Sequence, residues 1–308
     1  MCETREFLRD RLYTRGVDVL SDVLTVMRAG RPVSALVGWR GAWAQDFAPV
    51  PGAVGARVVV RGSCVLIPAG AAPIHLTAGD VVLLPHGRGH VLADSPDTVS
   101  AAAPCDPRAE RRPDVPDPDT LTLCGAYELA PEGGHPLLRE LPEVVHLSAD
   151  GELKTAVTLL ATELSQPGLG ADALVPTLLD LLLLYTLRTW FASHPERGWA
   201  AALRDPVVAP ALGAVHEDPA KPWTVASLAA LGGLSRAPFA RRFAELVGQS
   251  PMRYVTWWRM TTAARLLRSS DAALHAVAAE VGYQSEFAFA TAFKRQYGVA
   301  PGRYRKDS

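Results

Sequence analysis

A chain of 308 residues is long enough for about two domains of ordinary size. Its 48% hydrophobic and 20% charged residues give a globular balance, which excludes a disordered or fibrous chain. The formal net charge of −1 conceals an asymmetry: residues 207–308 hold 13 Lys+Arg against 7 Asp+Glu, and residues 1–206 hold 18 against 25. Only the C-terminal part is therefore expected to meet a polyanion.

In chain order, Met1 to Asp10 is charged throughout and lacks the apolar core of a secretory leader. Val17 to Arg28 has apolar residues at helical spacing (Val19, Leu20, Val23, Leu24, Met27) and predicts a helix that leads in or packs outside. From Val33 to His90, short apolar runs such as Val58–Val60 and Val81–Leu84, broken by Gly and Pro, predict strands of a sandwich or small barrel. Pro104 to Asp119, rich in Pro, Asp and Arg, predicts a loop.

Two amphipathic helices are expected next, over Asp150–Leu164 and Asp172–Phe191. The apolar residues of the second (Leu178, Leu181, Leu182, Tyr185) are either core or a homodimer seam. Its most apolar stretch, Leu178 to Leu187, contains Asp180 and is too short to cross a bilayer, so no membrane partner is expected. His194 to Asp205 reads as a linker. Cys2, Cys64, Cys105 and Cys124 show no CxxC spacing, and reduced thiols in a cytoplasm are expected.

The strongest signal is a repeat. Residues 225–254 align without gaps onto 275–304, with identities at Ala226/Ala276, Ala229/Ala279, Gly232/Gly282, Ser235/Ser285, Phe239/Phe289, Phe243/Phe293, Gly248/Gly298, Pro251/Pro301 and Tyr254/Tyr304, among others. Each unit reads as a short Ala-rich helix, a glycine turn, and a Ser-capped second helix closed by glycine. The Phe pairs at i and i+4 turn one apolar stripe inward, and a small Ala at 229 and 279 lets the helices cross closely. Between the units, Met252 to Ser270 lacks Gly and Pro and predicts one helix, roughly 28 Å long at 1.5 Å per residue. Such a spacer can present two second helices to successive major grooves, about 34 Å apart.

The run from "WTVASLAALGGLSRAPFARRFAELVG" to "VAAEVGYQSEFAFATAFKRQYGVAPGRYR" resembles the DNA-binding domain of the AraC/XylS family, over Pro206 to Arg305. By position, the resemblance assigns Arg236, Ala237, Ala240 and Arg241 to base reading in the first unit, with Arg242 on phosphate or the unit's surface. In the second it assigns Glu286, Phe287, Ala290 and Thr291. Arg241 suits a bidentate contact to guanine, and Phe287 either meets thymine methyls or packs. Lys294, Arg295 and Arg303 are the expected phosphate contacts.

Upstream, "GDVVLLPHGRGHVLAD" resembles the second cupin motif, with Gly79, Pro85, Gly87 and His90 in register. In metal-binding cupins that histidine is a ligand, but the first motif has no counterpart here. His75 and His86 could be recruited from elsewhere, but a solvated loop histidine is the expectation for His90, with no metal and no cofactor. Together with "VVRGSCVL", "CGAYEL" and "HPLLRELPEVVHL", the motif makes the chain similar to AraC-family members with a cupin sensor. The fold class expected is α+β: a cupin-like β-barrel with a helical dimerisation segment over residues 1–194, a linker at 195–205, and an all-α domain with two helix-turn-helix units over 206–308.

The resemblance implies a DNA-binding transcription regulator rather than an enzyme, with promoter duplex, RNA polymerase and a small-molecule or oxidant effector as partners. The alternatives are a metal-dependent cupin enzyme fused to a DNA-binding domain, which lacks its ligands here, and a DNA-repair alkyltransferase, whose nucleophilic Cys motif is absent. Cys64 and Cys124 are candidate sensors beside His90, because related regulators answer oxidants through cysteine. Selective oxidation requires a thiolate held by a cation such as Arg61 or His90.

Overall fold

The computed structural model describes residues 18–27, 32–99, 115–128, 135–196 and 198–306. Cys2, Cys105 and most of the expected loop at 104–119 lie outside them. The chain divides into two compact units: residues 28–195, and residues 196–308 with the segment up to residue 27. The first helix, α1 (Val19–Met27), belongs to the second unit and is taken with it.

The sheet-rich unit runs β1 (Val33–Trp39), β2 (Ala44–Phe47), β3 (Ala53–Arg61), β4 (Ser63–Pro68), β5 (Ile74–Thr77), β6 (Asp80–Leu84), β7 (His90–Ala93), β8 (Thr120–Glu128), α2 (Pro136–Arg139) and β9 (Val145–Ser148), then α3 (Gly151–Ser165) and α4 (Ala171–Ser193). One sheet has the order β1-β8-β3-β6-β9 and the other β2-β7-β4-β5. Each keeps two edges, so the expected barrel is instead a pair of open sheets. Phe47, Cys64, Leu66, Leu76 and Leu92 from the smaller sheet pack on Val59, Val82 and Leu84 from the larger. The larger sheet is covered on its other side, where α3 and α4 touch β1, β3 and β9. Burial on both faces explains why β6 is buried at every residue, whereas edge strand β5 alternates.

Asp150 caps α3 by accepting from the Gly151 amide at 2.7 Å. Leu153, Ala156, Val157, Leu160 and Ala161 form its buried stripe, at helical spacing. Helix α4 is longer than its most apolar stretch suggested, and its length and composition would suffice to cross a membrane. Its role in the fold is that of a core helix: Leu179, Leu182 and Leu187 are at most 1% exposed, and the Tyr127 hydroxyl donates to the Leu179 carbonyl. Leu178 and Leu182 thus belong to the protomer's own core, while Leu181 and Tyr185 are half-buried.

The helical unit continues with α5 (Gly198–Ala202), α6 (Val208–Glu217), α7 (Val225–Leu231), α8 (Arg236–Val247), α9 (Pro251–Ser269), α10 (Leu274–Glu280), α11 (Glu286–Tyr297) and α12 (Pro301–Lys306). Two expectations change here. The segment read as a linker is folded: α5 buries Trp199, whose ring lies 5.7 Å from that of Tyr254. Helix α1 joins this unit, with Val19, Leu20 and Val23 buried and contacts to α6 and α9. Asp18 starts α1, accepting from the Leu20 amide at 3.1 Å and the Ser21 hydroxyl at 2.6 Å.

Candidate nucleic-acid interface

Helices α7 and α8 form one helix-turn-helix, and α10 and α11 the other. Thr224 and Ser227 close a capping box on α7. Ser285 caps α11, accepting from the Ala288 amide at 3.4 Å, whereas Ser235 stands at the N-cap of α8 without a side-chain cap bond. Both second helices end in left-handed glycine, Gly248 (φ +75°) and Gly298 (φ +72°). The ungapped alignment needs one correction in the turns. The Leu234 amide donates to the Ala229 carbonyl, and its counterpart is the Tyr283 amide donating to Ala278. The left-handed turn residues are Gly233 and Gly282. The first helices therefore correspond at an offset of 49 and the second helices at 50, with Gln284 the extra residue. Ala229 is buried at the crossing and Ala278, not Ala279, takes its place in the second unit.

Each unit buries the same aromatic triad. Phe239, Phe243 and Tyr254 have Phe289, Phe293 and Tyr304 as counterparts, with the second Phe edge-on to the Tyr in both cases at 5.9 and 5.3 Å. This fixes which side of α8 and α11 faces out. On α8, Arg236, Ala237 and Arg241 are exposed and Ala240 is half-buried; on α11, Glu286, Phe287 and Thr291 are exposed and Ala290 is half-buried. Lys294, Arg295 and Arg303 are also exposed. Among the described residues, Arg236 and Arg241 make no hydrogen bond or ion pair, so both guanidinium groups are available. Arg242 is different. Its Nε and Nη2 both donate to Asp205 Oδ2, at 2.8 and 2.5 Å. Asp205 Oδ1 meanwhile caps α6 through the Val207 and Val208 amides. Arg242 therefore ties α8 to the start of α6, the surface alternative of its expected roles.

The two units are held against each other at one loop. Arg259, on α9, donates to the carbonyls of Pro219 and Lys221 at 2.7 and 2.8 Å. Gly282, in the second turn, lies so close to Ala220 that a Cβ would sit 2.5 Å from its carbonyl oxygen. Helix α9 runs 19 residues, as its sequence predicts, one residue earlier. On its other side His216 is buried between α1 and α9, stacked 3.7 Å from Trp258. Asp22 can only accept, so His216 Nδ1 carries the proton and donates to it at 3.2 Å, leaving Nε2 to accept from the Tyr254 hydroxyl at 2.6 Å. Burial holds the imidazole below its usual pKa although Asp22 pulls the other way.

In the sheet-rich unit, His90 is a buried strand residue and not a solvated loop histidine. Its ring stacks on Phe47 at 4.7 Å, and Nε2 accepts from Arg57 Nε at 3.1 Å. Burial, then the Arg57 charge, press its pKa down to about 2, so it is neutral and cannot hold a thiolate. Arg57 is only 3% exposed, donates to the Ala56 and Gly125 carbonyls, and lies 4.3 Å over the Phe47 ring. Sequence reasoning missed it, since only the fold brings residue 57 to residue 90. The two line a cavity of about 30 Å³ with Gly55, Leu84, Arg88 and Ala126, room for roughly one water. Cys64 is buried, and its pKa is pushed up to about 12 by burial first and by Cys124 second. Arg61 donates instead to the Pro118 carbonyl. Cys124 lies within β8 and packs on the same core. Among the described residues no three His, Cys, Asp or Glu gather as a metal site.

A duplicated helix-turn-helix that turns its second helices outward, following in the chain a sheet-rich domain with enclosed polar groups, defines a DNA-binding transcription regulator with an N-terminal sensing domain. A cupin family model matches residues 18–192, and a helix-turn-helix domain model matches residues 228–307. The chain belongs to the AraC-like transcription regulators: it is 38% identical over 305 residues to one from Streptomyces lividans, covering 94% of this chain and 98% of the relative. It is 29% identical over 309 residues to the HTH-type transcriptional regulator AlkR of Acinetobacter baylyi, covering 95% and 100%. Among solved structures, the DNA-binding domain of the global transcriptional factor AdpA, in complex with a target DNA, is 35% identical and covers 33% of this chain and 92% of that one, with a TM-score of 0.32.

Proposed function

We propose that this regulator is a cytoplasmic, non-enzymatic homodimer that reads a bipartite promoter site through α8 and α11 and answers a small molecule taken up by its sheet-rich unit. The observation that carries the reading is the matched exposure of residues 236, 237 and 241 with 286, 287 and 291, over identical buried triads. Arg241 is the guanine reader, Arg236, Ala237 and Ala240 complete the first reading face, and Lys294, Arg295 and Arg303 hold phosphates. RNA polymerase is the partner through which such binding acts on transcription. The effector enters beside Arg57 and His90, where the cavity must widen to admit anything larger than water. A buried cation with a neutral histidine suits a polar ligand, whereas the raised pKa of Cys64 leaves little thiolate for an oxidant. Exposed Leu159, Leu169 and Leu174, all on the α3–α4 hairpin, are the apolar surface assigned to a second copy.

Selection of preferred sites from random duplexes, followed by Arg241→Ala, tests the DNA reading. The variant should lose about 1–3 kcal/mol at the preferred site and relax one base pair. An equal loss on every sequence would reduce Arg241 to a phosphate contact, and failure to select any site would refute the function.

A further inference from the structure

The two recognition helices share one geometry but present opposite chemistry. Alignment at offset 50 puts Phe287 where the first unit has Ala237, and Thr291 where it has Arg241. Phe287 is 82% exposed, although Phe289, Phe293, Tyr297 and Tyr304 of the same unit are all buried. That settles one open alternative: Phe287 does not pack within its unit. A phenylalanine held in water forgoes a burial that any apolar partner would supply. Its immediate neighbours on the outer face add no cation, and Lys294, the first on that stripe, lies about two turns further along, where it is assigned to phosphate. Ala290 is apolar, and the Thr291 hydroxyl is turned back to donate to the Phe287 carbonyl at 2.9 Å. Glu286 in the first turn repels phosphate but can accept from a cytosine amino group.

A reading face of this kind cannot grip guanine as Arg236 and Arg241 can. In the major groove the apolar feature that distinguishes one base from the rest is the C5-methyl of thymine. We propose that Phe287 is the specificity-determining residue of the second unit and reads thymine methyl groups, so that the site is chemically polar: guanine under α8, thymine under α11. The proposal rests on the assignment of α8 and α11 as recognition helices.

The test uses the full chain on its selected site, with each thymine of the second half replaced in turn by deoxyuridine, which removes only the methyl. Losing one decisive methyl should weaken wild-type binding about fourfold, the equivalent of one unburied CH₂. Phe287→Ala should bind more weakly and show no further loss on the deoxyuridine site. Arg241→Ala, weaker overall, should keep the whole methyl effect. Because Phe287 is a surface residue, an unchanged circular dichroism spectrum is expected for its variant. Wild-type protein that binds thymine and deoxyuridine sites equally, or a Phe287→Ala variant that retains the wild-type methyl effect, would overturn the proposal while leaving DNA binding intact. Absence of any selected site would instead overturn the assignment beneath it.

Discussion

Gly282→Ala tests how the two helix-turn-helix units are joined. The backbone there is left-handed, at φ +80°, and the added Cβ would lie 2.5 Å from the Ala220 oxygen, 2.8 Å from its Cα and 3.0 Å from its carbonyl carbon. These are backbone atoms and cannot rotate away. Left-handed geometry alone costs alanine about 1–2 kcal/mol, and overpacking that displaces backbone adds about 1–3 kcal/mol. The sum is about 2–5 kcal/mol. Gly298 isolates the first part, since it is also left-handed, at φ +72°, with open space where the methyl would go. Gly213, inside α6 with nothing near its Cβ, should become more stable by about 0.5–1 kcal/mol as alanine. Urea unfolding followed by tryptophan fluorescence suits the comparison, because Trp199, Trp223, Trp257 and Trp258 are buried in this unit. If Gly282→Ala and Gly298→Ala shift the midpoint equally, the close approach to Ala220 is not a structural constraint and the argument fails.

The stability of the helical unit should also fall with acid. Burial depresses the folded pKa of His216, so its contribution is complete above the unfolded value of about 6.5 and is lost as pH falls towards the folded one. Melting curves between pH 7.5 and 5 (an experimental range set about that value) should slope less steeply for His216→Gln than for wild type; parallel slopes would show that the histidine does not titrate with unfolding. Leu174→Glu should give a folded monomer in sedimentation, whereas Leu182→Glu buries a carboxylate in the core and should unfold the sheet-rich unit. A Leu174→Glu protein that remains dimeric, or a monomeric wild type, would remove the hairpin from the dimer model.

Local chemistry made part of this molecule readable from its residues. The Phe pairs at i and i+4, a serine at each N-cap position and the closing glycines are short-range signals, so α8, α9 and α11 appear within a residue of expectation, although only Ser285 makes its cap bond. What failed was long-range or a matter of one residue. Identity at Gly232/Gly282 hid the slip in the turns, because either glycine of the Gly232–Gly233 pair could be matched, and only the backbone shows that Gly233 is left-handed. The sequence leaves Arg242 open between phosphate and the unit's surface, because no pattern in it announces the partner Asp205. The solvated histidine became a buried one for the same reason: Arg57 comes from a strand in the other sheet. The amphipathic pattern of α1 leaves open whether it leads in or packs outside, and only the fold joins it to the helical unit.

The contact between Gly282 and Ala220 has a consequence for the genome that carries the binding site. If α8 and α11 read the two half-sites as proposed, a joint made of backbone would fix their separation, and the protein would measure DNA length as well as sequence. Each base pair inserted between the half-sites turns the second by about 34° and pushes it about 3.4 Å along the axis. On that reading spacer length would be inherited under the same selection as the bases themselves, and a promoter that gained one nucleotide there would lose half of its operator without changing a single letter of it.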